Sequence, residues 1–235
     1  MNISILTICL NGEKEIEETM RSVLRQSFTG FEYLIKDGGS TDKTLSIANT
    51  LLPEFEAKGI ALRIVSQKDT GIYDAMNQAV EASTGDWMLF LNAGDRLAGD
   101  DVLERVIRSG ALSRAEIVYG DTILQDNGLC RYSKALDVTE IRHRMPFCHQ
   151  SVLTKRLPET VLFPTEYRIC GDYFFYLKMY LEKHPFEYLP MPISIFDING
   201  ASENTALLLR EKIAILESMP IRDEESVSKR MEQHK

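Results

Sequence analysis

The sequence predicts an α/β fold in which a doubly wound, mostly parallel sheet carries helices on both faces and continues into a mixed second half. Three observations lead to this prediction. Short apolar segments alternate with segments of helical period over the first hundred residues, polar residues follow the apolar segments, and the alternation stops after residue 115. Strands separated by single helices imply parallel pairing with right-handed crossovers.

The first half supplies the repeating strand and helix segments. β-Branched and apolar residues dominate the strand segments, while the first helix segment places Ile16, Met20 and Val23 on one face. Gly38 and Gly39 end the second strand, because glycine tolerates a positive φ angle. Strands are predicted at 2–9, 32–37, 61–66 and 86–91, and helices at 13–27, 40–57, 70–85 and from about residue 100.

The second half mixes shorter elements. Gln125-Asp-Asn-Gly128 is typical of a hairpin turn, and Pro190 and Pro192 break a strand region into one or two pieces. A last helix carries Ala206, Leu209, Ile213 and Leu216 along one stripe, which would seal the core, form a dimer or rest on a membrane. Strands are predicted at 116–124, 129–134, 149–154 and 186–198, and helices at 171–183 and 203–219.

Composition excludes several classes of protein. The 235 residues are 44% hydrophobic and 26% charged, as in soluble globular proteins. The net charge of −8 disfavours binding to nucleic acid, since no basic surface is indicated. The longest apolar run, 87–91, is far shorter than the ~20 residues of a membrane helix, and no signal peptide is recognised. We therefore expect a cytoplasmic protein whose four cysteines stay reduced.

Polar residues cluster where the predicted parallel strands end. The four clusters are 7–11, 37–42, 67–69 and 92–95, and ligands of open parallel sheets bind in the crevice beyond such ends. Asp37 either accepts hydrogen bonds from a base or ribose or satisfies the amides of its own turn. Asp95, helped by an oxygen of Asn92 or by His149, fits Mg²⁺ or Mn²⁺ held together with substrate phosphates.

Six segments in this order resemble family 2 glycosyltransferases, especially small bacterial enzymes of exopolysaccharide, colanic-acid-like and O-antigen assembly. The resemblance covers roughly residues 2–180. It implies a GT-A fold and transfer of a sugar from a nucleoside-diphosphate donor with inversion. The segments are Thr7-Ile-Cys-Leu-Asn11, Asp37-Gly-Gly-Ser-Thr-Asp42, Asp69-Thr-Gly-Ile-Tyr-Asp-Ala-Met-Asn77, Gly85-Asp-Trp-Met-Leu-Phe-Leu-Asn-Ala-Gly-Asp95, Cys148-His-Gln150 and Gly171-Asp-Tyr-Phe174.

The resemblance also implies a role for individual residues. Asp172 corresponds to the catalytic base, Asp95 to the ligand of Mn²⁺ or Mg²⁺, and His149 and Gln150 to contacts with the acceptor or the diphosphate. The implied nucleotide-binding residues are Thr7, Leu10, Asn11, Asp37, Asp69, Asp74, Asn77, Asn92 and Ala93. The partners are then a nucleotide sugar and a saccharide or lipid-linked acceptor, with a second copy of the chain or a membrane surface as further partners.

The roles implied for Asp95 and Asp172 can be compared with the chemistry that each role requires. The metal segment departs from the family's Asp-Xaa-Asp pattern, because only Asp95 is charged in Asn92-Ala-Gly-Asp95. The base is required because an acceptor hydroxyl must lose its proton as it attacks, and a carboxylate is ionised at neutral pH. Asp172 following Gly171 also fits a helix N-cap, which needs no catalytic role.

The resemblance suggests how the chain is organised. We expect a single domain over 1–220, with a nucleotide-sugar-binding half at 1–110, an acceptor half at 111–220 and a frayed charged tail at 221–235. Residues 197–205 are either a loop that closes over the donor, with Gly200 and Ser202 giving flexibility, or a plain connector.

Two other functions compete with sugar transfer. A nucleotidyltransferase needs a glycine-rich basic loop after the first strand, which Asn11-Gly-Glu-Lys14 does not supply. A nucleotide-sugar-binding module without turnover remains an alternative because the metal segment holds one carboxylate. Dinucleotide oxidoreductases and P-loop proteins are disfavoured, since neither GxGxxG nor GxxxxGK occurs.

Overall fold

The structure, a computed structural model, describes residues 2–157, 163–198 and 205–219. Strands and helices alternate through the first half, as the sequence predicts. The strands are β1 (Ile3–Cys9), β2 (Phe31–Asp37), β3 (Ala61–Ser66), β4 (Trp87–Phe90), β5 (Arg96–Leu97), β6 (Ile117–Asp126), β7 (Leu129–Ser133), β8 (Val152–Lys155) and β9 (Phe186–Asp197). The helices are α1 (Ile16–Leu24), α2 (Thr44–Ala57), α3 (Ile72–Ala82), α4 (Val102–Ser109), α5 (Gly171–Leu181) and α6 (Thr205–Ser218).

One sheet joins strands from both halves in the order β3-β2-β1-β4-β8-β6-β9-β5, with β7 beside β6. β3, β2, β1 and β4 are parallel, β8 runs antiparallel between β4 and β6, and β6 pairs in parallel with β9. The carboxyl ends of β1 to β4 and of β9 therefore share one edge of the sheet with the start of β8. This edge is where an open parallel sheet binds its ligands.

Helices cover both faces of the sheet because the strand residues alternate between the two sides. Ile3 and Ile5 belong to the core beneath α1, α2 and α4. Leu6 and Ile8 belong to the opposite core, which receives α3, α5 and α6. The predicted doubly wound arrangement is confirmed.

The hairpin turn predicted in the second half is present between β6 and β7. Asn127 and Gly128 both have positive φ angles, 46° and 84°, which a two-residue turn between β6 and β7 requires. The proline-containing region forms a single strand, β9, with shifts in register on both sides of Asp121. Proline has no amide hydrogen, so the ladder becomes irregular where Pro190 and Pro192 interrupt it. The two-residue strand β5 was not predicted.

The last helix packs differently from the prediction. Leu209 and Ile213 of the predicted stripe are about half exposed, at 53% and 54%. The helix instead buries Glu211 and Ile215 and packs Leu208 against the core. Leu216 of the stripe packs against the core, but the stripe as a whole does not seal it, because helix α6 meets the domain along a face that includes the charged Glu211. The tail at 221–235 and the loop residues Gly200 and Ser202 lie outside the described residues.

Within the described ranges, the structure contains no helix with the length and apolar character needed to cross a bilayer.

Candidate active site

The turn after β2 is organised by Asp37. Its carboxylate is fully buried and accepts hydrogen bonds from the amides of Gly39 and Ser40 at 3.0–3.2 Å and from the Ser66 hydroxyl at 2.7 Å. Burial favours a higher pKa for Asp37, but the hydrogen bonds from Ser40, Ser66 and Gly39 outweigh it and the net pKa is lowered. The geometry fits the turn alternative, and direct contact between Asp37 and a base stays a prediction.

A buried lysine that sequence reasoning missed lies beneath this turn. The Lys36 side chain is fully buried, and its Nζ donates to the carbonyls of Asp37 and Gln67 and, at 3.0 Å, to Oδ2 of Asp69. Three acceptors satisfy the three ammonium donors, which offsets the cost of burying the charge. Lys36 thus ties the ends of β2 and β3 together and holds Asp69 in place. The signal in the sequence was a lysine directly after the apolar run Tyr33-Leu-Ile35.

Gly38 lets Asp69 approach the turn closely. A Cβ atom on Gly38 would lie 2.8 Å from Oδ2 of Asp69 and 3.3 Å from Cδ1 of Leu10. Leu10 is 58% exposed, unusual for a large apolar side chain, and lies beside the same glycine. An apolar side chain, a bare backbone and a carboxylate therefore line one corner of the sheet edge, which suits a flat base with polar edges.

The predicted residues of the first strand divide between this corner and the sheet interior. Asn11 has a φ angle of 53°, which asparagine tolerates, and its Oδ1 accepts the amide of Thr41 at 2.9 Å. Thr7 is fully buried, donates to the Leu91 carbonyl at 2.6 Å and shares a hydrogen bond with the Tyr33 hydroxyl. The Thr7 side chain therefore links β1 to β2 and to the loop after β4, and its contact with a nucleotide stays a prediction.

Asp74 and Asn77 of α3 support neighbouring segments. Asp74 accepts hydrogen bonds from the amide and hydroxyl of Thr70, and these bonds lower its pKa. Both amide atoms of Asn77 bond to the backbone of Phe163 at 2.8 Å. Asp74 therefore fixes the loop that carries Asp69. Asn77, expected near the nucleotide, has both polar atoms bound to the second half.

The loop after β4 places Asp95 in a buried polar pocket. Asp95 is 4% exposed and accepts hydrogen bonds from Gln150 and, at 3.4 Å, from the amide of Asp197. Burial, the largest influence, raises the Asp95 pKa to about 8, and the charge of Asp197 acts in the same direction. Oδ1 of Asn92 is buried without a hydrogen-bond partner among the described residues. Asp197 was not among the predicted site residues, because the sequence placed it only where the strand at 186–198 meets the segment at 197–205.

These oxygen atoms fit a hard divalent cation. A cation would compensate the buried carboxyl group of Asp95 and use the unpartnered oxygen of Asn92. No group of three or more His, Cys, Asp or Glu side chains in the described ranges has the arrangement of a metal site. A cation here would therefore take its remaining ligands from substrate phosphates or water. Ala93 holds this loop to β1, since its amide donates to the Ile8 carbonyl at 3.1 Å.

His149 lies at the start of β8 among aromatic rings. Its ring centroid is 5.1 Å from that of Phe90 and 5.7 Å from those of Phe163 and Tyr176. The side chain is buried, and neither ring nitrogen has a hydrogen-bond partner in the described part of the chain. Burial lowers the His149 pKa, and the charge of Asp172 opposes this shift. His149 is therefore not the satisfied core histidine that a lone histidine usually is.

We expect His149 to make the protein sensitive to acid. Because the folded-state pKa is depressed from 6.5, the unfolded chain takes up the proton more readily. The contribution of neutral His149 to the free energy of unfolding is complete above about pH 6.5. It is lost as the pH falls toward the folded-state pKa. His149→Phe should therefore lose less stability than wild type between about pH 7.5 and about pH 5.5. Urea unfolding measures this, with the exposed His143→Gln as control, and an equal loss in His149→Phe and wild type would contradict the prediction.

Asp172 is the second residue of α5, and Cys170 occupies the N-cap position. The alternative that Asp172 is itself the cap is therefore wrong. Oδ1 of Asp172 accepts the Tyr73 hydroxyl at 3.1 Å and the Tyr173 amide at 2.8 Å. Among the described residues, Oδ2 accepts no hydrogen bond. Burial raises the pKa of the Cys148 thiol, and the charges of Asp95 and Asp172 act in the same direction.

The chain is similar in sequence to known proteins. Residues 4–184 match the family model described as Glycosyl transferase family 2. The PGL/p-HBAD biosynthesis glycosyltransferase of Mycobacterium bovis (strain BCG / Pasteur 1173P2) is 35% identical over 180 residues, covering 75% of this chain and 69% of the relative. Chondroitin synthase of Escherichia coli is 38% identical over 100 residues, covering 43% of this chain and 14% of the relative.

Solved structures share the fold. S. aureus TarS 1–349 in complex with UDP superposes with a TM-score of 0.70 at 19% identity, covering 84% of this chain and 61% of TarS. The mannosyltransferase PcManGT from Pyrobaculum calidifontis, in complex with GDP-Man and Mn²⁺, gives a TM-score of 0.63 at 17% identity, covering 83% and 56%. The chain thus spans about three-fifths of these proteins and has the GT-A fold. With the family match over most of its length, the chain belongs to glycosyl transferase family 2.

Proposed function

We propose that this glycosyltransferase moves a sugar, with inversion, from a nucleoside-diphosphate donor to a hydroxyl of a saccharide or lipid-linked acceptor in cell-surface polysaccharide synthesis. The observation that carries the proposal is the arrangement at the sheet edge. Leu10, Gly38 and Asp69 meet in a corner beyond the carboxyl ends of β1 to β3, the buried Asp95 follows β4, and the charges of Asp95 and Asp172 both act on the Cys148 thiol. Such an order suits a nucleoside, a diphosphate and a reacting sugar laid along the edge.

The nucleoside would bind in the corner formed by Leu10, Gly38 and Asp69. Leu10 and the bare backbone of Gly38 offer apolar contact, and the Asp69 carboxylate offers an acceptor for a base or ribose donor. Asp37 and Lys36 would support this corner because they stabilise the turn after β2 that contains Gly38. TarS with UDP and PcManGT with GDP-Man are nucleotide-bound proteins of the same fold, which supports a nucleotide sugar as the donor.

Asp95, Asn92 and Asp197 would hold a divalent cation, Mn²⁺ or Mg²⁺. Its positive charge would stabilise the negative charge that develops on the leaving diphosphate. Gln150, which bonds to Asp95 and accepts a hydrogen bond from the Cys148 thiol at 3.0 Å, fixes the Asp95 carboxylate. PcManGT, solved with Mn²⁺, supports a metal in a protein of this fold.

Asp172 would accept the proton of the acceptor hydroxyl. An in-line displacement inverts the anomeric carbon and needs a base on the side opposite the leaving group. Oδ1 of Asp172 is held by Tyr73 and Tyr173, which leaves Oδ2 for the hydroxyl. His149, whose two ring nitrogens have no partner among the described residues and which feels the charge of Asp172, would bind a polar group of the acceptor or diphosphate.

A cleft of about 270 Å³ in the second half supports the acceptor side. Its lining includes Lys134, Leu136 and Cys148, the last of which belongs to the proposed reaction centre. Most of the lining is apolar, with Lys134 as its one cation. A cleft of this size accommodates the part of an acceptor adjoining the reacting hydroxyl.

The proposal is tested by adding UDP-glucose, UDP-GlcNAc and GDP-mannose to the protein with and without Mn²⁺. Thermal shift should identify a stabilising donor, because a ligand that binds the folded state raises its apparent stability. The same donor should release nucleoside diphosphate. Binding without release from any donor would favour a binding module, and pyrophosphate-dependent formation of a nucleotide sugar would favour a nucleotidyltransferase.

A further inference from the structure

The carboxylate of Glu211 is an unusual feature of α6. It is buried, at 8% exposure, on a helix whose opposite face carries exposed leucine and isoleucine. It accepts three backbone hydrogen bonds, from the amides of Arg168, Ile169 and Cys170 at 2.8, 2.9 and 2.9 Å. No salt bridge to Glu211 occurs within the ranges that the structure describes. The carboxylate is therefore satisfied by backbone amides, a charge-assisted arrangement that offsets its burial.

These three amides directly precede the helix that carries Asp172. Cys170, the N-cap residue of α5, makes no side-chain cap hydrogen bond. The start of a helix leaves amide groups unsatisfied and favours a nearby negative charge. Glu211, 41 to 43 positions further along the chain, supplies that charge from another helix.

The same segment is held from its other side by α3. The Tyr73 hydroxyl lies 2.6 Å from the Ile169 carbonyl and 3.1 Å from Oδ1 of Asp172. The Tyr73 ring packs against Gly171, where an added Cβ would approach Cε2 to 2.7 Å. Residues 168–172 are therefore fixed between Glu211, which accepts from the amides, and Tyr73, whose one hydroxyl hydrogen is shared between a carbonyl and the carboxylate.

We propose that Glu211 is a positioning residue for catalysis, which orients Asp172 by holding the backbone at 168–170. This inference rests on the proposed role of Asp172 as the base. An apolar residue at position 211 would pack equally well beside Leu208 and Ile215 but would leave three amides without an acceptor. The last helix is then part of the catalytic apparatus.

Glu211→Gln tests this with little change in volume. Glutamine has one acceptor oxygen, so its amide group would face at least one backbone N–H, and the segment would shift. Because small displacements of reacting groups are costly, we expect turnover to fall about tenfold or more while the affinity for the nucleoside diphosphate is unchanged. The exposed Glu217→Gln on the same helix is the matched control and should retain wild-type turnover.

A double-mutant cycle separates positioning from general stability. Release of nucleoside diphosphate is measured with the best donor among UDP-glucose, UDP-GlcNAc and GDP-mannose, in Mn²⁺, for wild type, Glu211→Gln, Asp172→Asn and the double variant. If Glu211 acts through Asp172, the Glu211 substitution slows the wild type but has no further effect in the Asp172→Asn background. Tyr73→Phe, which removes only a hydroxyl, should behave in the same way.

The outcomes distinguish the two proposals. A slow Asp172→Asn variant combined with wild-type turnover in Glu211→Gln would overturn the positioning role and leave the base intact. An equal slowing by Glu211→Gln in both backgrounds would assign the residue to structure alone and also overturn the inference. Wild-type turnover in Asp172→Asn would overturn the base assignment, and with it the proposed function on which the positioning role rests.

Discussion

Replacing Asp172 with asparagine should lower sugar transfer by about 10²-fold or more, the usual effect of losing a general base. Asparagine keeps the size of the side chain and a carbonyl oxygen that can accept from Tyr73, so the start of α5 should stay in place. It cannot accept the proton of the acceptor hydroxyl. Donor affinity should be close to that of wild type, because Leu10, Gly38 and Asp69 are unchanged.

Turnover and donor affinity are therefore measured separately. The rate is followed as release of nucleoside diphosphate, and the dissociation constant is obtained by calorimetry with the same donor. Asp101→Asn is a matched control, since Asp101 is exposed at the N-cap of α4. Full turnover in Asp172→Asn would show that another group takes the proton.

Asp95→Asn should weaken nucleoside-diphosphate binding about tenfold or more when Mn²⁺ is present and hardly at all without it. The reason is that an amide oxygen is a neutral and weaker ligand for a hard cation than a carboxylate. Folding should not suffer in the absence of metal. Burial raises the pKa of Asp95 to about 8, so the wild type loses stability as the pH rises from about 4 toward 8, whereas the neutral asparagine carries no such cost.

Affinity for UDP and GDP is measured with Mn²⁺ and with a chelator, and stability is measured by urea unfolding across the same pH range. Asp126→Asn, an exposed change at the hairpin turn, is the control. Wild-type protein that binds nucleotide equally well with Mn²⁺ and with chelator would exclude a metal role for Asp95. Destabilisation of the metal-free Asp95→Asn variant at high pH would contradict the effect of burial.

Much of the architecture follows from local patterns. The strand before Asp37 and the glycines after it predicted a turn, and the structure has that turn. Asn127-Gly128 predicted a tight hairpin, and both residues adopt the required positive φ angles. Such features are predictable because they depend on residues adjacent in the chain.

The support around the candidate site was much less predictable. Lys36 reaches Asp69 across 33 positions, and Asn77 reaches Phe163 across 86. Nothing in the segment around Asp197 indicated its contact with Asp95, and the burial of Glu211 was hidden by the apolar stripe on the other side of α6. None of these partners is marked by spacing, since each depends on which strands and helices become neighbours.

The sequence by itself determined the alternation of strands and helices, the polar loops at the strand ends and the segments that identify the family. Tertiary structure alone decided which partners those polar groups bind within the folded chain. The antiparallel insertion of β8 brings His149 and Gln150 to the edge that carries Asp95, and α6 brings Glu211 to the start of α5. The physical reason is that strand order and helix docking fix the hydrogen-bond partners of buried charges. Local periodicity carries no information about either of them.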